Sequence, residues 1–129
     1  MRLFTAIDLP SEILDRLDKE EGDDEAWAKA TAAEIRKKSP TSLKIAFAQT
    51  QRGKSLDLAS ALKLEFRLAS HIVGSHDYHE GVAARIAGKG RRPEWQPATL
   101  EAVDDAAIER LFTTPAQDEL ELEEAKPSL

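Results

Sequence analysis

The sequence predicts an all-α fold of about six helices, and three observations support this prediction. Of the 129 residues, 41% are hydrophobic and 33% are charged, a balance typical of folded proteins and not of disordered ones. Apolar residues recur every three or four positions, which is the spacing of one helix face. Glycine and proline are rare, with six of each, and most of them stand where a helix would begin or end.

The first two predicted helices lie before the S-P dipeptide at 39–40. One begins near Pro10, and the other begins in the acidic stretch 23–25, because carboxylates stabilise a helix N-terminus. Both carry residues at helical spacing. These residues are Ile13, Leu14 and Leu17 in the first helix, and Trp27, Thr31 and Ile35 in the second.

The third and fourth helices form the middle of the chain. Ser39 and Pro40 begin the third, because a serine side chain can accept a bond from a free backbone N–H and proline has no N–H to leave unpaired. The fourth runs from about residue 55 to 73 and carries two apolar stripes. These are Leu58, Leu62, Phe66, Ala69 and Val73 in one, and Leu64, Leu68 and Ile72 in the other. A helix apolar over this width is normally covered on more than one side, and we do not expect the rest of the chain to cover all of it.

Two shorter helices complete the predicted fold. Asp77, with Glu80 three residues later, resembles a capping box for the fifth helix, and Asp104 is placed to cap the sixth. Pro93 and Pro97 exclude a regular helix between them. The residues expected to face inward are Val82, Ala83 and Ile86 in the fifth helix, and Ile108, Leu111 and Phe112 in the sixth. Residues 1–112 are expected to form one unit, and the acidic segment 113–129 to form a solvated, mobile tail.

Composition excludes several classes of function. The net charge of −6 at pH 7 argues against a general nucleic-acid or anionic-membrane binder. The absence of cysteine excludes disulfides, thiolate metal ligands and cysteine nucleophiles. No apolar run approaches the roughly 20 residues that span a bilayer. The start MRLFTAIDLP is not a signal peptide, so we do not expect secretion.

Four sequence motifs resemble those of a known protein family. They are S-P-T-S-L-K at 39–44, E-F-R-L-A at 65–69, H-D-Y-H-E-G-V at 76–82 and P-E-W-Q-P-A-T-L-E at 93–101. In this order and spacing, they resemble the C-terminal region of 3-hydroxyisobutyryl-CoA hydrolases, which belong to the enoyl-CoA hydratase/isomerase (crotonase) superfamily. The resemblance covers nearly the whole chain. It implies the helical C-terminal portion of a crotonase-like fold, lacking the β-rich catalytic core.

The resemblance also implies an activity for the complete relative, which hydrolyses a CoA thioester in valine catabolism. The core of that relative supplies the oxyanion hole and the acidic residues that activate water. No residue of this chain matches a catalytic position, so no catalytic residue is assigned, and we expect the chain alone to be inactive. No tightly bound cofactor is implied, because coenzyme A is part of the substrate. The implied location is the mitochondrion in a eukaryote and the cytoplasm in a bacterium.

Lys89 is the one candidate binding residue. Relatives use a basic residue of this region to contact a phosphate of CoA, but a basic turn equally fits a solvated helix C-terminus. His71, His76 and His79 could be taken for metal ligands. Their positions around a helix break favour capping and packing, so we expect no metal site.

Two functions stay open for the chain itself, and whether it acts as an enzyme stays open with them. The first is the helical part of a hydrolase that binds an acyl-CoA substrate when complete. The second is a free-standing helical module that docks on a crotonase-type core or another partner. Exposed apolar helix faces could also cause self-association. A minimal CoA-binding unit centred on Lys89 is a third hypothesis. We expect neither nucleic-acid nor membrane partners.

Overall fold

The computed structural model describes residues 10–88 and 90–123. The α-helices in this part of the chain are α1 (Pro10–Asp18), α2 (Glu25–Arg36), α3 (Pro40–Gly53), α4 (Leu58–Ile72), α5 (His76–Ala87) and α6 (Asp105–Thr113). A single 3₁₀ turn, Gly22–Asp24, leads into α2. No strand occurs among the described residues, and the predicted all-α fold of about six helices is confirmed.

The first core lies between α1 and α2. It consists of two leucines from α1, Leu14 and Leu17, and two alanines from α2, Ala28 and Ala32. Of the predicted stripe of α2, Ile35 packs against this core, whereas Trp27 is 43% exposed. Helix α1 contributes large side chains to this interface and α2 contributes small ones, so the two helices can pack closely.

The second core joins α3, α4 and α6. Its buried residues are Ile45, Leu68, Val103, Ile108 and Phe112. The inward positions predicted for the sixth helix are confirmed, since Ile108 and Phe112 are buried and Leu111 packs against them. Val103 precedes the capping residue of α6 and shares this core with Ile108, which is the arrangement of a hydrophobic staple.

Polar side chains cap four of the helices. Ser39 Oγ accepts from Ser42 N at 3.2 Å, and Asp104 Oδ1 accepts from Ala106 N at 3.0 Å, as the sequence predicted. Asp57 caps α4 by accepting from Ser60 N at 2.7 Å, so α4 begins later than predicted. The cap of α5 is Ser75, whose Oγ accepts from Tyr78 N at 3.3 Å. The predicted capping box at Asp77 is therefore wrong, because Asp77 already lies inside the helix.

The two apolar stripes of α4 have opposite environments. Leu68 is buried, and Leu64 and Ile72 pack against the second core. On the other stripe, Leu58 is 75% exposed and Val73 is 50% exposed. The expectation that the chain does not cover the whole width of this helix is confirmed within the described residues.

Helix α5 faces the opposite way from the prediction. Ile86 is 81% exposed and Val82 is 42% exposed, whereas Asp77 and Ala84 are buried. The inward side of α5 is lined by a carboxylate and small residues, because it lies against the irregular segment 93–97. The branched residues point away from both cores. This orientation places a buried acid where the sequence predicted an apolar contact.

Candidate functional site

Three of the four motifs meet in one set of contacts, which we call the motif cluster: Ser39, Asp77, Glu80, Trp95 and Gln96. Asp77 is only 9% exposed. Its Oδ2 accepts from the hydroxyl of Ser39, and its Oδ1 accepts from the backbone N–H of Gln96 at 2.8 Å. A buried carboxylate requires such partners to offset its lost hydration. Asp77 thus joins the start of α3 to the segment 93–97.

Glu80, one turn along α5, holds the same segment at a second point. It accepts from the backbone N–H of Glu94 at 3.0 Å and pairs with Arg91 at 2.9 Å. The Glu94 N–H, and then the Arg91 guanidinium, lower the pKa of Glu80 below its usual range, against the raising effect of desolvation. Its carboxylate is therefore ionised at neutral pH and already bonded on both sides, which suits a structural contact and not a general base.

Trp95 is the apolar part of the motif cluster. Its Nε1 donates to the carbonyl of Lys37 at 2.9 Å, so the indole reaches the end of α2. A Cβ atom at Gly81 would lie 3.2 Å from this ring, closer than ordinary van der Waals contact. The glycine of H-D-Y-H-E-G-V thus lets the indole approach the α5 backbone. This indole acts as a packing anchor and not as an open platform for a ligand.

Two further residues of the motifs, Lys44 and Arg67, also make internal contacts. Lys44, at the end of S-P-T-S-L-K, donates to the carbonyl of Val103 at 3.3 Å and to Asp105 at 2.7 Å. Arg67, in E-F-R-L-A, donates to the carbonyl of Phe112 and pairs with Glu119, with 2.6 Å between Nε and Oε1. Each of these two residues therefore fastens one helix to another part of the chain.

The three histidines do not converge. His71 Nε2 donates to the carbonyl of Thr114, and His76 Nε2 donates to the carbonyl of Glu94 at 3.0 Å. Both line a cavity of about 90 Å³, well below the roughly 300 Å³ at which ligand pockets begin. His79 packs edge-on against Tyr78. In the ranges 10–88 and 90–123, no three His, Cys, Asp or Glu side chains are placed to hold a metal ion.

Lys89 lies outside the described residues, so its proposed contact with a CoA phosphate stays a prediction. Of its basic neighbours, Arg91 is paired with Glu80. Arg85 and Arg92 are exposed. A cavity of about 310 Å³ lies between α3 and α4. Among the described residues that line it, Glu65 is the only ionisable one, and it accepts from Gln49 Nε2 at 3.2 Å. That cavity lacks the cations that a phosphate group needs.

Two apolar stripes remain on the outside of the molecule. The α4 stripe consists of Leu58, Leu62 and Val73, and the α5 stripe consists of Tyr78, Val82 and Ile86. Single exposed apolar residues are normal on protein surfaces, but regular apolar stripes along helices are typical of surfaces that pack against another domain or another protein. No helix in the described part of the chain is long and apolar enough to cross a membrane.

Comparisons with known proteins extend this picture. A family model described as enoyl-CoA hydratase/isomerase matches residues 2–112. The mitochondrial 3-hydroxyisobutyryl-CoA hydrolase of Danio rerio is 35% identical over 94% of this chain and 31% of its own length. The Bos taurus protein of the same name is 40% identical over 67% of this chain and 22% of its length.

A solved structure shares the helical arrangement. A carnitinyl-CoA dehydratase from Mycobacterium thermoresistibile superposes with a TM-score of 0.75 and 28% identity, over 86% of this chain and 31% of that protein. The chain belongs to the enoyl-CoA hydratase/isomerase family. The resemblance to 3-hydroxyisobutyryl-CoA hydrolases is confirmed, and the helices are consistent with the helical C-terminal portion of a crotonase-like fold. The chain spans about a third or less of the length of these relatives.

The sequence did not reveal the roles of Asp77 and Glu80. The available signal was a pair of acids one turn apart, and a capping box explains such a pair equally well. Their partners Gln96 and Glu94 lie 19 and 14 residues further along the chain, and no local pattern links positions so far apart.

Proposed function

We propose that this chain is the helical C-terminal part of a CoA-thioester hydrolase of the kind for which its relatives are named. The complete protein would hydrolyse 3-hydroxyisobutyryl-CoA, a step of valine catabolism. It would act in the mitochondrion of a eukaryote, as the names of the relatives indicate, or in the cytoplasm of a bacterium. The helical part would cover a β-rich core and contribute no catalytic group.

The observation that supports this proposal is that the motifs make contacts within the fold. Their polar side chains bond to one another and to the backbone, as at Asp77, Glu80 and Lys44. Catalysis of thioester hydrolysis needs donors aimed at a developing oxyanion and a base near water. Groups already engaged within the fold do not meet that need, whereas they do give a rigid cover.

The names of the relatives give independent support. The curated relatives are named as hydrolases, and the structural neighbour is named as a dehydratase. Hydrolysis of a thioester and removal of water from an acyl chain are different reactions. A region common to both is suited to a task that does not depend on the reaction, such as closing the fold around an acyl-CoA site.

An assay of CoA release tests the proposed inactivity of the isolated chain. The purified chain is incubated with 3-hydroxyisobutyryl-CoA and a thiol-reactive dye, with the Danio rerio hydrolase as the positive control. The chain has no cysteine, so the dye reports only CoA. We expect release at the rate of buffer alone, and turnover above that rate would contradict the proposal.

A free-standing interaction module is the second candidate, and the exposed α4 and α5 stripes favour it. A fragment that has lost its core should associate irregularly through these stripes. A module should be a monomer or an oligomer of fixed size. Light scattering over a hundredfold range of concentration separates the two, since only the fragment should show a mass that rises continuously.

The proposal includes a contact between Lys89 and a phosphate of CoA. Isothermal titration of CoA into the chain and into a Lys89→Glu variant tests it. We expect the reversal of charge to weaken binding. Equal affinity in the two proteins would remove Lys89 from the site.

A further inference from the structure

The outer face of α5 is apolar and basic. It carries the exposed α5 stripe, and the exposed Arg85 lies beside this stripe, three residues after Val82. Both acids of the helix point the other way, because Asp77 and Glu80 bond to the segment 93–97. A partner that fits this face is therefore apolar where it meets the stripe and acidic where it meets Arg85.

Arg85 lacks an acid of its own. Other arginines of the described chain form ion pairs: Arg36 with Asp18, Arg52 with Glu109, Arg67 with Glu119, and Arg91 with Glu80. Within residues 10–88 and 90–123, the Arg85 side chain forms neither an ion pair nor a hydrogen bond. This guanidinium is therefore available for an acid on another molecule.

A surface with the complementary character lies at the start of α2. Three carboxylates there are exposed, and none of them forms an ion pair with a described residue. Trp27 follows them within about one helical turn and is 43% exposed, which is unusual for a tryptophan. We call this surface the α2 patch: Glu21, Asp23, Asp24 and Trp27.

We propose that the outer face of α5 in one copy of this chain binds the α2 patch of a second copy. Trp27 packs on the α5 stripe, and Arg85 pairs with Asp23 or Asp24 beside the indole. A guanidinium is also attracted to the face of a tryptophan ring, and tryptophan, tyrosine and arginine are enriched among the residues that dominate binding at interfaces. Both surfaces are exposed within one molecule, so they do not cover each other and the contact requires a second copy.

This contact is heterologous, because it joins two different surfaces. Each added copy therefore brings a new α2 patch or a new α5 face, and the assembly either grows or closes into a ring. The inference goes beyond the proposed function, since both surfaces belong to this chain and neither needs a β-rich core.

Sedimentation velocity of the full chain, over a wide range of concentration, tests the charged half of the contact. Arg85→Glu, and separately the double change Asp23→Lys with Asp24→Lys, should each weaken association at least about tenfold. The control Lys63→Glu, on an exposed residue of α4, should leave association unchanged. An equimolar mixture of the two patch variants should associate again, because the natural α2 patch of one meets the natural α5 face of the other.

Three results would overturn the proposal. The first is a natural chain that stays monomeric, and the second is a patch variant that associates as strongly as the Lys63→Glu control. The third is a mixture that associates no better than its two components, since the contact would then not join these two surfaces. Circular dichroism of each variant verifies that the helices are intact.

Trp27→Ala tests the apolar half of the contact. It should weaken association at least about tenfold, because a buried tryptophan at an interface is commonly worth 2 kcal/mol or more. Leu58→Ala is the matched control, since Leu58 is equally an exposed apolar residue but belongs to the α4 stripe. An effect of Leu58→Ala as large as that of Trp27→Ala, or larger, would overturn the proposal.

Discussion

The motif cluster and the outer stripes of α4 and α5 have opposite characters, although both include residues of α5. The motif cluster is mainly polar and partly buried, and the side chains of Ser39, Asp77, Glu80 and Trp95 each have a hydrogen-bond partner. The stripes are apolar and exposed, with Leu58 and Ile86 among the most open large residues. In α5 the same motif supplies both surfaces: Asp77 and Glu80 make internal contacts, whereas Tyr78 and Val82 are exposed.

The largest expected effect comes from removing the acid at the centre of the motif cluster. Asp77→Ala leaves the Gln96 N–H and the Ser39 hydroxyl without their acceptor. We expect the free energy of unfolding to fall by about 3 kcal/mol, because hydrogen bonds to charged groups are worth roughly 1.5–3 kcal/mol each. Urea denaturation followed by circular dichroism measures it. Asp118→Ala, on an exposed residue, is the control and should change stability by less than about 0.5 kcal/mol. Equal effects of the two changes would mean that the cluster does not clamp the fold.

Two glycine substitutions test the close packing of Trp95 on α5. Gly81→Ala should destabilise the chain by about 1 kcal/mol despite the higher helix propensity of alanine, because the new Cβ meets an indole that is held by its bond to Lys37. Gly53→Ala, at the end of α3 with open space around it, should instead stabilise the chain by up to about 1 kcal/mol. The same urea titration measures both. Two changes of the same sign would contradict the close packing of Trp95 on α5.

The dependence of stability on pH isolates the contribution of Glu80. Its pKa is lower in the folded chain than in the unfolded chain, where it is about 4.3, because the Glu94 N–H and Arg91 stabilise the carboxylate. The contribution of Glu80 to stability is therefore complete above the unfolded pKa and is lost as pH falls through the folded pKa. Glu80→Gln should be less stable than the natural chain at pH 7, and this difference in the free energy of unfolding should shrink below pH 4. A difference that stays constant down to pH 2 would show that protonation of Glu80 does not affect stability.

The smallest effect on stability is expected at the outer stripes. Ile86→Asp should change the free energy of unfolding by less than about 0.5 kcal/mol, because the side chain is already in water. It should nevertheless reduce association or docking, as measured by light scattering and by binding of an apolar dye. Loss of stability comparable to that of Asp77→Ala would show that the α5 stripe is packed in solution.

The number and order of the helices could be predicted from the sequence, since periodicity and caps are local. Ser39 and Asp104 cap through backbone groups two or three residues away, a distance that sequence patterns cover. The orientation of α5 could not be predicted. Val82 and Ile86 share one face of a helix whether that face points inward or outward, and periodicity alone does not distinguish the two cases.

The motifs of the candidate site could be recognised in the sequence, but the contacts between them could not be predicted. Asp77 meets Ser39 across 38 residues and Gln96 across 19. These pairings depend on how α3 and α5 pack, and helix packing follows from the shape of whole surfaces. The family resemblance identified the motifs of this region, and the structure shows the contacts that their residues make.

Complementation of a truncated relative tests whether this chain docks as a cover on a β-rich core. The Danio rerio hydrolase is prepared without the region that matches this chain, and the chain is added to it at increasing concentration while release of CoA from 3-hydroxyisobutyryl-CoA is followed. If the chain is a cover that docks on a β-rich core, activity should appear only in the mixture and saturate with added chain, and the Ile86→Asp variant should require a higher concentration. Release by the chain alone, or a mixture that never exceeds its two components, would contradict the account.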